Sequence, residues 1–104
     1  MKYKNKLVKK LIESGENVIF EGHRTIAVNS PWLDSEIGHS ISNKKGIGIV
    51  WSYEKGILTV SLRSSGRINV SRIAQKYGGG GHKAASGFEL PIAISLFPWK
   101  KIKS

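Results

Sequence analysis

The apolar residues near the N-terminus recur at helical spacing. Between residues 3 and 13 they form one stripe, made of Tyr3, Leu7, Val8, Leu11 and Ile12, and the lysines fall mostly outside it. Gly15 follows as a natural stop. The pattern predicts an amphipathic helix that packs on a sheet, with a basic helix lying on a membrane surface as the alternative.

Two further stretches have helical spacing. Leu33, Ile37 and Ile41 recur every four residues and predict a helix from Pro31 to Ser42. A third helix is predicted to open at Asn69 or Val70 and to end at the glycines that follow Tyr77. After them, residues 82–86 are predicted to add about one helical turn.

Strand patterns fill the intervals between these helices. Residues 18–20 and 25–28 predict a hairpin around Gly22, and residues 47–53 and 57–62 predict a second hairpin. Leu58, Val60 and Leu62 fall on one face of their strand, and Thr59, Ser61 and Arg63 fall on the other. A last strand is predicted at residues 88–90. The predicted fold is α/β (α+β): a mixed β-sheet of about five strands with helices packed on it, in a single domain over residues 1–104.

Composition narrows the range of partners. The 104 residues carry 17 Lys and Arg against seven acids, for a net charge of +10, which favours polyanions such as nucleic acid. The hydrophobic fraction of 39% suffices for one core, and the lack of cysteine excludes disulfides. No apolar run is long enough to cross a membrane, so we expect no membrane partner and a cytoplasmic location. The basic N-terminal helix and the tail at residues 99–104 are expected to be solvated, and contact with a nucleic-acid backbone is the alternative.

Four consecutive glycines, Gly78 to Gly81, are followed by His82 and small residues. Glycine loses more backbone entropy on folding than any other residue, so the run predicts a backbone that another group approaches closely. Bare amides near a helix start can hold an anion, which favours a phosphate- or nucleotide-binding loop. A flexible linker or a helix C-cap followed by a turn are the alternatives.

Other chemistry has little support. Trp51 stands where a dinucleotide-binding motif beginning at Gly46 needs its third glycine, and no Gly-Lys-Ser/Thr of a P-loop is present. The three histidines are widely spaced and Asp34 is the only aspartate. We therefore predict no metal site and no catalytic residues in this chain.

The residues around the glycines carry a resemblance to a known family. Gly79-Gly80-Gly81-His82, then Ala85-Ser86-Gly87, resemble the Gly-Gly-Gly-His-x-x-Ala-Ala-Gly signature of the small C-terminal domain of DHH-type phosphoesterases. Residues 61–64 resemble the family's Ser-x-Arg-Ser segment, residues 69–74 its following helix, and residues 28–29 and 35–38 the nano-RNase-like branch. The similarity spans about residues 18–90, with Ser86 in place of a second Ala.

This resemblance implies a substrate-binding domain without its catalytic partner. The family's catalytic domain holds two manganese ions through an Asp-His-His motif, which this chain lacks. Manganese is therefore expected only on that separate domain, joined in cis or in trans. A short natural protein and a part of a longer chain both remain open.

The candidate binding residues are those that the resemblance indicates and whose side chains or amides can bind a phosphate. A guanidinium suits phosphate bidentately, a hydroxyl and an imidazole can add hydrogen bonds, and bare amides can cradle an anion. The predicted phosphate-binding set, expected to converge where a strand ends and a helix starts, is Arg63, Ser64, Gly79, Gly80, Gly81 and His82. Trp32, Trp51 and Tyr77 are candidates for base stacking, with packing favoured for the last two.

The expected function is therefore binding of a nucleotide or of short single-stranded RNA or DNA, as the substrate-binding domain of a DHH-type phosphoesterase. One half of an active split phosphoesterase is an alternative. An RNA-binding accessory domain like that of alanyl-tRNA synthetase is another. Asn29, Ser35 and Gly38 favour the phosphoesterase branch.

Overall fold

A mixed seven-stranded sheet organises the molecule, with helices on both of its faces. The computed structural model describes residues 2–32 and 34–102, with side chains from residue 6 onward. The helices are α1 (Lys2–Glu13), α2 (Asp34–Lys45) and α3 (Val70–Lys76), with a 3₁₀ turn at Ile94–Leu96. The strands are β1 (Glu16–Phe20), β2 (His23–Asn29), β3 (Ile47–Glu54), β4 (Ile57–Ser64), β5 (Gly80–His82), β6 (Ala85–Leu90) and β7 (Lys100–Lys101).

The strands lie in the order β5-β6-β4-β3-β2-β1-β7. β2 and β3 pair in parallel, and the other neighbours are antiparallel. Parallel neighbours need a crossover connection, which α2 provides. The β1–β2 and β3–β4 hairpins turn at Glu21-Gly22 and Lys55-Gly56, where all four residues have positive φ, as a type I′ turn requires.

The two faces of the sheet are covered by different helices. On one face, Val28 of β2 and Val50 of β3 pack with α1 and with Ile37 and Ile41 of α2. On the other face, Leu58, Val60 and Leu62 of β4 are buried with α3. The predicted alternation in β4 is confirmed, because its core residues and its polar residues lie on opposite faces.

Helices α2 and α3 have terminal residues that suit their ends. Asn69 caps α3, because its Oδ1 accepts hydrogen bonds from the amides of Ser71 at 3.1 Å and Arg72 at 3.4 Å. In α2, Asp34 and Glu36 lie in the first turn and Lys44 and Lys45 in the last, the arrangement that the helix dipole favours.

Several sequence predictions need correction. α2 begins at Asp34 rather than Pro31 and continues to Lys45, because Gly46 with φ +88° ends it. Ser30, just before the predicted start of this helix, makes a local turn in which its hydroxyl donates to the carbonyl of Trp32 at 2.5 Å. Leu33 and the side chain of Tyr3, both assigned to helical stripes, lie outside the described residues.

The C-terminal segment is ordered onto the sheet rather than a solvated tail. Trp99 is only 7% exposed and its ring lies 6.0 Å from that of Phe20. Lys100 and Lys101, although exposed, form β7 against the edge of β1. β7 and β5 are the strands beyond the five expected from the sequence.

Glu21 ties the β1–β2 turn to α3. Its carboxylate accepts hydrogen bonds from Lys76 Nζ at 2.7 Å and from Tyr77 Oη at 2.9 Å. The bond from Lys76, followed by that from Tyr77, holds the pKa of Glu21 below its usual range. Burial, reinforced by the hydrogen bond to Glu21, raises the pKa of Tyr77 to about 12. The phenol therefore remains a donor at neutral pH.

We expect the stability that Glu21 provides to be lost in acid. Its folded-state pKa lies below the unfolded value, so the contribution is complete above the unfolded pKa and disappears as the pH falls through the folded one. Glu21→Gln should lower the free energy of unfolding by about 1 kcal/mol at pH 7. Urea denaturation of both proteins should show this difference shrinking in acid. A difference that persists below the folded-state pKa, where the carboxyl group is protonated in both states, would rule out the carboxylate charge as its source.

Candidate functional site

Three strands at one side of the sheet bring Arg63 and His82 onto the same face. Arg63 of β4 pairs with Ala85 of β6, and Ala85 pairs with His82 of β5, so the three residues form one row. Register partners in a sheet project to the same side. In the next row of this face, Ser61, Gly87 and Gly80 are paired in the same order.

This face is open beyond β4. α2 packs over β2, β3 and β4. On β5 and β6, Gly80 and His82 are exposed, and Ala85 and Gly87 are partly exposed. We call the surface formed by these four residues the glycine shelf. Two of the four residues are glycine and one is alanine, so His82 carries the one large side chain of the shelf, and Arg63 lies along one edge.

Arg63 is held in place by the first turn of α2. Its guanidinium donates to Ser35 Oγ at 2.9 Å and to the carbonyl of Leu62 at 3.0 Å, and it lies 3.7 Å from Asp34 Oδ2. Asp34 also accepts a hydrogen bond from Ser61 Oγ at 3.1 Å. The Arg63 side chain keeps 21% exposure, so a positioned guanidinium remains accessible to a ligand.

Gly38 makes room for this arginine. A Cβ at Gly38 would lie 2.6 Å from Arg63 Cγ, so any larger residue would displace the side chain. Sequence reasoning noted Ser35 and Gly38 only as signs of resemblance and treated Asp34 only as a lone aspartate. Their role depends on α2 crossing β4, which no local pattern reveals.

Ser64 does not join Arg63 and His82. It lies on the core face of β4, like Leu62, and is 7% exposed. Its hydroxyl accepts hydrogen bonds from the amides of Gly66 at 3.0 Å and Ile68 at 3.3 Å. The described contacts make Ser64 a support for the loop between β4 and α3.

The glycines follow a helix end rather than precede a helix start, which corrects the expectation for the loop. The amides of Gly78 and Gly79 donate to carbonyls of α3, that of Gly79 to Ala74 at 2.9 Å. Gly78 has φ +85°, typical of a helix C-cap. The predicted helical turn at residues 82–86 is also wrong, because β5 turns there into β6.

The fold requires glycine at two of the three signature positions. A Cβ at Gly79 would lie 2.0 Å from the carbonyl oxygen of Gly87. Gly81 has φ +145°, and a Cβ there would lie 2.6 Å from the carbonyl oxygen of Ala85. A Cβ at Gly80 would meet no atom within 4 Å apart from its chain neighbours, and its φ is not in the positive range. Packing within the chain therefore explains Gly79 and Gly81 but not Gly80.

A shallow depression of about 490 Å³ continues from the shelf along β4 and β6. Ser61 and Gly87, in the row next to that of Arg63, line one end of it, and Thr59 and Glu89 line the far end. Thr59 Oγ1 donates to Glu89 Oε2 at 3.3 Å. The surface thus runs from cationic at Arg63 to anionic at Glu89, so an anion fits best at the Arg63 end.

The three aromatic candidates have different surroundings. Trp32 is 66% exposed just before α2. Trp51 packs with Phe97 and Trp99 in the C-terminal aromatic cluster. Tyr77 stacks on Phe88 with ring centroids 4.6 Å apart. Packing is thus confirmed for Trp51 and Tyr77, and Trp32 is the candidate that stays accessible.

Among residues 2–32 and 34–102, no three His, Cys, Asp or Glu side chains cluster in a way that would hold a metal ion. Within the same residues, no helix is both long and apolar enough to cross a membrane.

The fold and the site define a small α+β domain in which a glycine-histidine hairpin lies beside a strand-end arginine. The chain belongs to the DHHA1 domain family, whose pattern it matches over residues 32–96. An uncharacterised protein of Acanthamoeba polyphaga mimivirus is 30% identical over an alignment of 112 residues. That alignment covers 98% of this chain and 27% of the viral protein.

Solved structures share the fold at low sequence identity. An uncharacterised protein from Helicobacter pylori G27 superposes with a TM-score of 0.62 at 24% identity, covering 82% of this chain and 25% of that one. The pGpG-specific phosphodiesterase PggH from Vibrio cholerae gives 0.57 at 22% identity, with coverages of 86% and 33%. An exopolyphosphatase-related protein from Bacteroides fragilis gives 0.57 at 17% identity, with coverages of 86% and 30%. The chain therefore spans between a quarter and a third of the length of these proteins.

Proposed function

We propose that this DHHA1 domain binds the phosphates of nucleotides or of short single-stranded RNA or DNA on the glycine shelf. In this proposal it is the substrate-binding domain of a DHH-type phosphoesterase. The catalytic domain, with its manganese ions, would belong to the same polypeptide or to a separate subunit. A cytoplasmic location stays a prediction from the sequence.

Gly80 is the observation that carries this proposal. A glycine in a strand costs about 0.5–1 kcal/mol relative to alanine. No packing contact in the described chain requires glycine at this position. A ligand that approaches the backbone closely supplies the missing reason, because a side chain at position 80 would cover the shelf in the row next to that of His82 and Arg63.

The charges beside the shelf favour a phosphate. The Arg63 guanidinium is fixed by Ser35 and Asp34, so little side-chain entropy is lost when it binds an anion. His82 lies on the opposite side of Ala85 in the same row and can donate a second hydrogen bond. β5 is an edge strand, so one side of its backbone has no strand partner in the sheet.

Two observations bear on the alternative functions. The chain spans a third or less of its relatives, which suits one half of a split phosphoesterase. The net charge of +10 suits an RNA-binding accessory domain as well as a substrate-binding one. Binding of a dinucleotide at the shelf separates the phosphoesterase functions from general RNA binding.

The proposal is tested by titrating the ¹⁵N-labelled chain with the dinucleotide pApA and, as control, with adenosine. We expect amide shifts centred on Gly80, His82 and Arg63 with pApA alone, because adenosine lacks the phosphates. Affinity should fall steeply between about 50 and 200 mM salt as phosphate contacts release counterions. Shifts of equal size with adenosine, or shifts centred away from the shelf, would contradict the proposal.

We also expect no manganese-dependent phosphodiesterase activity from the chain alone. Two-metal hydrolysis needs several carboxylates or histidines close together, and the one Asp, six Glu and three His of the sequence form no such cluster among the described residues. Release of AMP from pApA should be measured with and without manganese. Robust turnover that His82→Ala abolishes would show that the chain is itself an enzyme.

A further inference from the structure

A second depression, of about 680 Å³, lies where α2 ends and β3 begins. We call it the cationic groove. It is lined by the basic side chains of Lys44, Lys45 and Arg67 and by His23, with Ser42, Asn43, Gly46, Ser65 and Ile68 completing the wall. None of these lining residues is an acid, and Ile68 is the one large apolar residue among them.

The cations of the groove are not used in the described ion pairs. Those pairs join Arg63 to Asp34, Lys76 to Glu21 and Lys101 to Glu16. The dipole of α2 accounts for lysines in its last turn. It does not account for Arg67, which reaches the same depression from the loop after β4. The convergence of three such charges from two separate segments favours an anionic occupant.

The groove and the glycine shelf lie at the same end of the sheet. Backbone hydrogen bonds join the segments between them: Ser64 N–H donates to Ala84 O at 2.9 Å, and Ser65 N–H donates to Gly46 O at 3.3 Å. His82 on β5 and His23 on β2 are separated by four strand spacings, which is about 19 Å. That distance exceeds the reach of a mononucleotide.

Acidic residues are scarce along this path. Glu21, in the β1–β2 turn at the same end of the sheet, is bonded to Lys76 and Tyr77. Glu16, Glu54 and Glu89 lie toward the other ends of their strands. Asp34, which is paired with Arg63, and Glu36, which lines a depression with Arg63 and His39, are acidic residues beside the Arg63 end of the path. The groove itself has no acidic lining residue, so positive charge predominates at that end.

We propose that the cationic groove binds further phosphates of a single-stranded oligonucleotide whose first phosphates lie on the glycine shelf. This inference rests on the proposed function and extends it: the preferred ligand is longer than a dinucleotide. The scarcity of apolar lining argues against a membrane or an apolar protein segment, and spaced phosphates match cations that are distributed along a path.

The test compares pApA with a 5′-phosphorylated heptaadenylate. The groove variant carries Lys44→Gln and Lys45→Gln, since glutamine keeps helix propensity and removes charge. The control variant carries Lys55→Gln, in the β3–β4 turn at the opposite end of the sheet, and Lys100→Gln, on the edge strand β7 two strands away from β2; it lowers the net charge equally. Circular dichroism melts establish that both variants are folded, and Arg67→Gln gives an independent test of the groove outside α2.

We expect the groove variant to bind the heptamer at least about fivefold more weakly at low salt, with the slope of log K against log salt smaller by about 1.4. Its affinity for pApA should stay within about twofold of wild type, and the control variant should bind both ligands as wild type does. An equal loss for both ligands, or an equal loss in the control variant, would overturn the groove. If the heptamer does not bind and an acidic protein does bind to the groove, the proposal is overturned in favour of a protein partner.

Failure of the proposed function gives a different pattern. If the shelf does not bind phosphate, Gly80→Val leaves the affinity for both ligands unchanged, while the groove variant still binds the heptamer more weakly than wild type does. If only the groove proposal is wrong, Gly80→Val lowers the affinity for both ligands. The groove variant then loses no more affinity for the heptamer than for pApA.

Discussion

Valine at position 79 should destabilise the domain severely, whereas valine at position 80 should leave it folded and unable to bind nucleotide. A Cβ at Gly79 would lie 2.0 Å from the Gly87 carbonyl oxygen, and backbone cannot move aside as a flexible side chain can. We expect a loss of at least ~3 kcal/mol in the free energy of unfolding for Gly79→Val. A Cβ at Gly80 meets open space, and valine suits an extended backbone.

Urea denaturation and pApA titration of the two variants measure this contrast. Gly80→Ala provides a graded control, because a methyl group should weaken binding less than an isopropyl group does. Gly80→Val should keep the denaturation midpoint near that of wild type and lose most of its pApA affinity. Unaltered affinity in Gly80→Val would remove the observation on which the proposed function rests.

Removing the Arg63 guanidinium is expected to cost the next largest share of nucleotide affinity. A charged hydrogen bond contributes about 1.5–3 kcal/mol, so Arg63→Ala should weaken pApA binding by roughly 10- to 150-fold. The side chain is already held by Ser35 Oγ at 2.9 Å and lies 3.7 Å from Asp34, so it reaches the shelf preorganised.

Two further variants separate charge from geometry at this position. Arg63→Lys keeps the charge but loses the planar fork and should recover only part of the affinity. Arg24→Ala removes an exposed arginine of β2 with no described ion pair and serves as the control. If Arg63→Ala and Arg24→Ala weaken pApA binding equally, Arg63 contributes only to the general positive field.

The sequence identified the components of this site better than their arrangement. Period-two alternation placed Arg63 opposite Leu62, and the structure confirms it because one face of β4 is buried under α3. The same alternation places Ser64 on the core side with Leu62. The resemblance to a Ser-x-Arg-Ser segment nevertheless led us to group its hydroxyl with Arg63.

The missing strands have a physical explanation. β5 consists of two glycines and a histidine, so it has no apolar alternation to detect. β7 contains two exposed lysines and is defined only by its pairing with β1. A helical turn at residues 82–86 was predicted from small residues, and pairing with β6 overrode that local preference.

By itself the sequence determined the elements whose signals are local: the alternating strands, the two glycine-containing hairpin turns, the start of α3 at Asn69 or Val70 and the glycine signature of the family. Only the tertiary structure decided which glycine is required by packing and which is open, since that depends on how closely β6 approaches residues 79–81. It also decided the support of Arg63, because Asp34, Ser35 and Gly38 meet it only after α2 crosses the sheet. Contacts between residues distant in the chain arise from packing, which a local pattern does not specify.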